Sequence, residues 1–435
     1  MEEIKEQVKK EVDEIWNGKV QKLLSNQINK FLNDEIKVLK NELNRFDSLI
    51  DEHIKNINKQ FNEKWEKKFN DQMIQKPQQI IENYENIRKQ VINFDNIKNP
   101  PLIKLIYIDN TNPLVNIVLQ CISNIKTLVS YYFNPKKEEK ILHKAKNDPN
   151  NCYLGPSFLK LLDYLWKSKQ KEYYPEEIHN TLKKLMGDNY NTKDPSIIIN
   201  FILTKLNEEL SLNNNINNNK KVDPFDVFDE NKVFKEYWDE FTEKKTKISM
   251  SFYSTFKISK RCEGCNYTAF SFESTPIINV YLNQDNAEKL DFVDFKHHLI
   301  EKEKDKIKEK CVTCADDTKK NKIVAKDFFY TPKILIFNID RKKDPHHKIS
   351  FKYPEQFDIK NIVKKQMEIS DYFLTTVIKK VNDIYIAFCS NYIDKKWYRY
   401  NYEKIELVDN YKHVIIDDKN ACILIYTGKK KIKNV

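Results

Sequence analysis

Two Cys-x-x-Cys pairs, Cys262-Glu263-Gly264-Cys265 and Cys311-Val312-Thr313-Cys314, stand 45 residues apart in this 435-residue chain. Each pair can place two sulfurs on one ion, and four thiolates in two such knuckles suit tetrahedral zinc. A chain built on that site must bring both knuckles together across the intervening 45 residues. With four sulfur ligands no coordination position stays open, so the ion is expected to stabilise its surroundings and do no chemistry. The competing reading is four unrelated reduced cysteines.

The first 76 residues impose a different constraint. They contain no proline and one glycine, Gly18. Apolar residues recur at three- and four-residue steps from Ile4, Val8 and Val12 through Ile50, Ile54, Ile57, Phe61, Trp65 and Phe69. That spacing predicts an amphipathic helix or coiled coil, about 110 Å long if unbroken. A globular enzyme has no need of such an arm, so a docking or oligomerisation element is expected; a helical hairpin folded on the body is the alternative. Lys76-Pro77 interrupts the pattern, a second helix is expected over 78–94, and Asn99-Pro100-Pro101 marks a domain boundary.

Composition narrows the class. Hydrophobic residues make up 40% and aromatics 12%, enough for a packed core, while 75 basic and 64 acidic residues leave a net charge of +11. Because the charges are interleaved, a solvated surface explains them better than a dedicated acidic partner does. The Lys429–Lys433 run reads as a solvated basic tail over 429–435. Only 5 glycines occur, which disfavours a site where backbone must approach substrate closely. Met1-Glu2-Glu3 opens a charged helix and no signal peptide, and no apolar run reaches the roughly 20 residues of a membrane span. A cytoplasmic or nuclear compartment is expected, with no membrane partner.

Between Asp109 and Phe133 the chain reads DNTNPLVNIVLQCISNIKTLVSYYF. This resembles the cysteine box of the ubiquitin-specific proteases, where an Asn-Thr-Cys-Tyr-Met-Asn-Ser run leads into Val-Leu-Gln-Cys-Leu-Ser-Asn. The second half stands here as Asn116 and Val118-Leu119-Gln120-Cys121-Ile122-Ser123-Asn124. Further blocks follow in the family's order: Phe158–Trp166, Asp194 with Glu208-Glu209-Leu210, Thr331-Pro332 through Asp340-Arg341, and Tyr372-Phe373-Leu374 with Val377-Ile378. The resemblance implies an α+β, papain-like ubiquitin-specific-protease fold with thumb, palm and zinc-ribbon fingers. It would occupy 99–428, with fingers at about 246–330, behind a helical or coiled-coil arm over 1–98. Short strands are expected at Ile248–Ile258, Pro276–Leu282, Ile334–Asn338, Tyr372–Val377, Ile384–Cys389, Trp397–Tyr400 and Ala421–Tyr426.

The same resemblance locates a missing chemistry. Counting back from Cys121, the family's nucleophile falls on Pro113, or on Asn112 with a slip of one residue. Asn is a favoured N-cap and Pro a favoured first helical residue, so the site reads as a good helix start. The family's Gly-His-Tyr becomes Asp383-Ile384-Tyr385, with Ile384, Ile386 and Phe388 alternating as one buried strand face. The third triad member lines up with Asn401, and the oxyanion-stabilising Asn with Ile108. Cysteine-protease chemistry needs a thiolate, a base and oxyanion donors, and three of these positions fail. Cys152, in Asn150-Asn151-Cys152-Tyr153-Leu154, imitates the box but leaves too little chain before the 192–210 block. Cys121 reads as packed core, and His346-His347 as a turn.

A catalytically inactive family member is therefore expected, serving as a binding or scaffold subunit of a larger assembly through residues 1–95. Alternatives are a non-cleaving ubiquitin reader and an active deubiquitinase using Cys152. A fourth is a splicing factor in an RNA-containing assembly. It resembles the inactive tri-snRNP-associated member in Asp194-Pro195, where active relatives read Asp-Ala, and in the Asn112–Asn116 spacing.

Overall fold

The computed structural model describes residues 6–9, 84–88, 102–107, 111–148, 151–211, 230–243, 246–282, 292–294, 304–311, 313–314, 319–341, 350–359, 363, 369–409, 411 and 419–430. The chain separates into two compact units, Met1–Asn86 and Ile87–Val435. In the first, residues 6–9 are helical; the rest of the expected 1–76 helix lies outside the described residues, as do Asn99-Pro100-Pro101, Ile108, His346-His347 and the basic tail beyond Lys430.

The second unit begins with a layer of helices. These are α1 (Pro113–Ser123), α2 (Lys126–Tyr132), α3 (Pro135–Asn147), α4 (Leu154–Lys167), α5 (Glu176–Met186) and α6 (Pro195–Leu210), with a 3₁₀ turn at Gly187–Asn191. Two more, α7 (Glu230–Glu243) and α8 (Lys247–Phe252), lead into the strands. Helix α1 is buried all round, every residue from Leu114 to Ser123, and its polar Asn116 and Gln120 side chains donate to the Ile106 and Ile103 carbonyls. It is the central rod of the layer. No single described helix is long and apolar enough to cross a membrane.

Strands β1 (Lys104–Leu105) and β2 (Glu172–Tyr173) form a small parallel pair beside the helices. Then follow β3 (Ser254–Cys262), β4 (Thr268–Thr275), β5 (Ile278–Tyr281), β6 (Phe292–Asp294), β7 (Lys304–Lys310), β8 (Lys319–Tyr330) and β9 (Ile334–Asp340). The chain ends through β10 (Ser350–Lys352), β11 (Gln356–Asp358), β12 (Ile369–Val381), β13 (Ile384–Ser390), β14 (Trp397–Tyr400), β15 (Ile405–Leu407) and β16 (Ala421–Lys430). An eight-stranded sheet runs β15-β14-β13-β12-β16-β9-β5, with β11 added on β12. A second sheet, β4-β3-β8-β7, projects as two antiparallel hairpins.

Both faces of the large sheet are covered, and the two-residue strand period sorts them. Ile334, Ile336, Tyr385, Ala387, Cys389, Ile423 and Ile425 pack with the helices. Leu335, Phe337, Phe388, Leu424 and Tyr426 pack with Phe351, Tyr353 and Phe357 on the other side. Two sequence expectations are corrected. Residues 247–252 are helical where Ile248–Ile258 reads as strand, because Thr246 and Ser249 form a reciprocal capping box that starts a helix before β3. Ile384 is 47% exposed where it reads as buried. It follows a two-residue turn in which Asn382 and Asp383 both have positive φ, and the hairpin tip carries it out of the core.

Candidate active-site cleft and metal centre

Helix α1 starts as its sequence dictates. Asn112 Oδ1 accepts from the Leu114 N–H at 3.0 Å, and Pro113 takes the first helical position. The Asn112 amide also donates to the carbonyls of Tyr190 (2.8 Å) and Thr192 (2.9 Å). The helix start is thereby tied to the turn before α6. A nucleophile at this point would profit from free N–H groups and the helix dipole. Here the cap amide serves the fold, and Pro113 has no nucleophilic atom.

The turn meets the sheet as well. The Tyr385 hydroxyl donates to the Lys193 carbonyl, and the Tyr402 hydroxyl accepts from the Tyr385 N–H at 3.4 Å. Tyr385 faces the helix layer, as its place among the helix-packed residues requires, and Ile384 has the opposite strand parity. So the first inward side chain of β13 is a phenol anchored across the cleft. Burial pushes its pKa well up, which keeps it a donor and no base. Asn401 follows β14 and caps the next turn, its Oδ1 accepting from Glu403 N (2.9 Å) and Lys404 N (2.7 Å). Between α1 and this turn lies a cavity of about 10 Å³ lined by Tyr107, Asn116, Gln120, Tyr400, Asn401 and Tyr402. It holds one water at most, and no peptide.

Beneath the cleft runs a buried chain of hydrogen bonds absent from the sequence reading. His179 on α5 is fully buried, with Nε2 2.8 Å from Asn116 Oδ1 and Nδ1 2.6 Å from the Tyr190 hydroxyl. Asn116 Oδ1 can only accept, so Nε2 carries the proton and Nδ1 accepts from Tyr190. Tyr190 in turn accepts from the Asn112 N–H at 3.2 Å, and the Asn116 amide donates to Ile106 O at 3.2 Å. Burial, reinforced by Lys183, lowers the His179 pKa to about 4. The imidazole is neutral, satisfied at both nitrogens, and structural.

Cys152 occupies a different setting. It precedes α4, whose first N–H groups, from Leu154 and Gly155, both donate to the Glu209 carboxylate at 2.7 Å. A carboxylate where a thiolate or oxyanion would seek those donors opposes both. The fit is close: a Cβ on Gly155 would come within 3.1 Å of Glu209 Oε2. Cys121 is fully buried against Cys389, sulfurs 3.9 Å apart, and burial raises its thiol pKa far above the ordinary value.

The four remaining predicted residues come together. Cys262 ends β3 and Cys265 lies in the following turn, while Cys311 and Cys314 lie between β7 and β8. All four Sγ atoms lie within 4.8 Å of one another. Cys262 and Cys314 are 3.8 Å apart, and Cys265 and Cys311 3.6 Å. A tetrahedron with metal–sulfur bonds of about 2.3 Å has edges of about 3.8 Å, whereas a disulfide needs about 2.05 Å. The donor set therefore fits one tetrahedral metal ion. The first knuckle is shaped by Asn266, at φ 59°, whose N–H donates to the Cys262 carbonyl at 2.9 Å. Burial opposes the Cys311 thiolate, but N–H donors from Thr313 and Cys314 and the neighbouring thiols bring its pKa to about 6.

The start of α1, the strand β13, a polar residue after β14 and a two-hairpin ribbon with four clustered cysteines make one arrangement. The family model described as ubiquitin carboxyl-terminal hydrolase matches residues 111–426. The chain belongs to the ubiquitin carboxyl-terminal hydrolase family. Two solved structures share the fold. The hydrolase-family chain superposes on one described as yeast SAGA DUBm with an Sgf73 mutant, with a TM-score of 0.53, 15% identity, and 77% of this chain and 70% of that one covered. It superposes equally, at 14% identity with 77% and 71% covered, on the SAGA Ubp8/Sgf11/Sus1/Sgf73 DUB module bound to ubiquitin aldehyde. No curated protein gives a significant match. The ubiquitin-specific-protease fold expected from 109–133 and the later blocks is thus present.

Proposed function

We propose that this hydrolase-family chain is catalytically inactive and acts as a protein-binding subunit of a larger assembly. The observation that carries the reading is the closed cleft: Pro113 stands at the helix start, and Tyr385 and Asn112 both bond the 190–193 turn. A scissile carbonyl would need an open approach to a thiolate beside a base, and neither group stands there. In this reading Pro113, Ile384, Asn401 and Ile108 are the degenerate catalytic and oxyanion positions. Cys262, Cys265, Cys311 and Cys314 hold a structural zinc ion that joins the two finger hairpins. The arm over 1–98 docks the hydrolase-like body on its partners. That body, read as 99–428, extends through β16 to Lys430, so that the basic tail expected over 429–435 is shortened to 431–435. A cytoplasmic or nuclear setting suits eight cysteines that are all free of disulfides.

A second reading, ubiquitin binding without cleavage, draws support from the likeness to a module bound to ubiquitin aldehyde. The splicing alternative is weaker, because its signature residues have local duties. Asp194 caps α6 through Ser196 N at 2.8 Å with Pro195 at the first position, and Asn112 and Asn116 serve the His179 chain. Two measurements on the full-length chain test the proposal. Hydrolysis of a fluorogenic ubiquitin C-terminal amide should not exceed buffer, and purification from its own cells should recover stoichiometric partner proteins. Turnover would overturn inactivity. Recovery of the chain alone would overturn the scaffold role, and recovery with ubiquitin conjugates only would select the reader.

A further inference from the structure

Helix α3 has thirteen residues and a single buried one, Ile141. Its charges are lopsided: Lys136, Lys137, Lys140, Lys144 and Lys146 stand against Glu138 and Glu139. Glu138 accepts from Arg88 Nε at 2.8 Å. Lys137 lies over the Tyr131 ring, and Lys144 donates to the Glu209 carbonyl at 2.9 Å. Lys136, Lys140 and Lys146 are exposed and have no ion-pair partner among the described residues.

Two grooves run along this helix. One, of about 840 Å³, is lined by Lys136, Lys140, His143, Lys144, Asp148 and Tyr153. The other, of about 420 Å³, carries Arg88 with its partner Glu138, Leu142 and Lys146, and Glu139 and His143 line both. The Asp148 carboxylate accepts from Asn151 and from the Tyr153 hydroxyl at 2.8 Å, which keep it ionised near Lys144. With Glu139 it offsets part of the charge, and Lys136, Lys140 and Lys144 still outnumber the two carboxylates of this groove.

We infer that this face binds the sugar–phosphate backbone of a single-stranded nucleic acid without reading its sequence. Lysines one helical turn apart present ammonium groups in a row, and neutralising phosphates with release of counterions drives binding with no apolar contact. A docked peptide would need an apolar anchor in a pocket. The grooves offer none, since Tyr153 lies beneath the Lys144 ammonium, 5.7 Å from its ring centroid, and Leu142 is half-buried. The exposed His143 imidazole, shared by both grooves, is the ring they offer to an unpaired base, and the lysines make the backbone the main recognised element. The inference is independent of whether the cleft is inactive.

Fluorescence anisotropy with 20-nucleotide oligouridylate, oligodeoxythymidylate and a polyglutamate peptide tests it on the full-length chain. Both nucleic acids should bind, with log K falling against log salt at a slope of about −2 to −3 for three to four contacts. The triple variant Lys136→Gln/Lys140→Gln/Lys146→Gln should flatten the slope by about 2 and weaken binding at least tenfold at low salt. All three positions are exposed, and an unchanged thermal midpoint verifies the fold. A preference for one nucleic acid identifies the natural source. Absence of saturable binding at low salt, unaltered binding by the triple variant, or tighter binding of polyglutamate would each overturn the inference.

Discussion

Asn112 uses its whole side chain to fasten the start of α1, accepting from Leu114 and donating to the Tyr190 and Thr192 carbonyls. The cap was legible in the sequence because capping chemistry is local. Its partners were not, being some 78 residues away in sequence. Asn112→Ala should cost about 2 to 3 kcal/mol, a cap plus two hydrogen bonds, read from urea unfolding. His179 was missed for a related reason: next to Ile178 and three residues before Leu182 it sits among the buried positions of α5, and no local signal marks its bonds. Its pKa of about 4, against an ordinary 6.5, has a signed consequence. Below pH 6.5 the unfolded chain takes up a proton that the folded site refuses until about pH 4. Stability should therefore fall across that window, by roughly 3 kcal/mol once complete. His179→Gln should remove this part of the pH dependence; an unchanged acid profile would contradict the buried neutral imidazole.

At the scale of elements, the two knuckles were the most legible feature, since four cysteines in pairs admit few arrangements. The strands of the large sheet were legible too: Trp397–Tyr400 coincides with β14, and β16 begins at Ala421 as read. What alternation could not supply was the end of a face. Ile384, Ile386 and Phe388 share a parity, yet the turn at Asn382-Asp383 exposes the first of them and puts Tyr385 inward instead. Likewise α8 was hidden by a Thr-Ser capping box within apolar, strand-like text. The ribbon's hairpins meet at the four sulfurs, through the β3–β8 ladder, and through the Lys260–Glu309 and Lys326–Glu273 ion pairs. One zinc per chain should be found by plasma mass spectrometry. Cys311→Ser, or removal of metal by a chelator, should raise hydrogen exchange in β3, β4, β7 and β8 while the helix layer keeps its protection. Uniform loss of protection would mean that the ribbon is not a separate cooperative unit.

Across the whole molecule, the ubiquitin carboxyl-terminal hydrolase fold is kept, and among the described residues Asn112 and Tyr385 both bond the 190–193 turn. The family was legible because Val118, Leu119, Cys121 and Ile122 of the 109–133 block are core-forming residues, whose identity the packing itself demands. The closure was not, because Tyr385 and Lys193 are 192 residues apart in sequence. Restoring two side chains should therefore be insufficient: Pro113→Cys with Ile384→His should still give no hydrolysis above buffer, since position 384 faces away from α1 and Tyr385 still blocks the approach. The most direct test is incubation of the full-length chain with ubiquitin bearing a C-terminal thiol-reactive electrophile, followed by intact-mass and peptide mapping. Eight cysteines carrying no ubiquitin adduct is the expected result. A stoichiometric adduct, at Cys152 or any other cysteine, would contradict the reading of this chain as an inactive hydrolase fold.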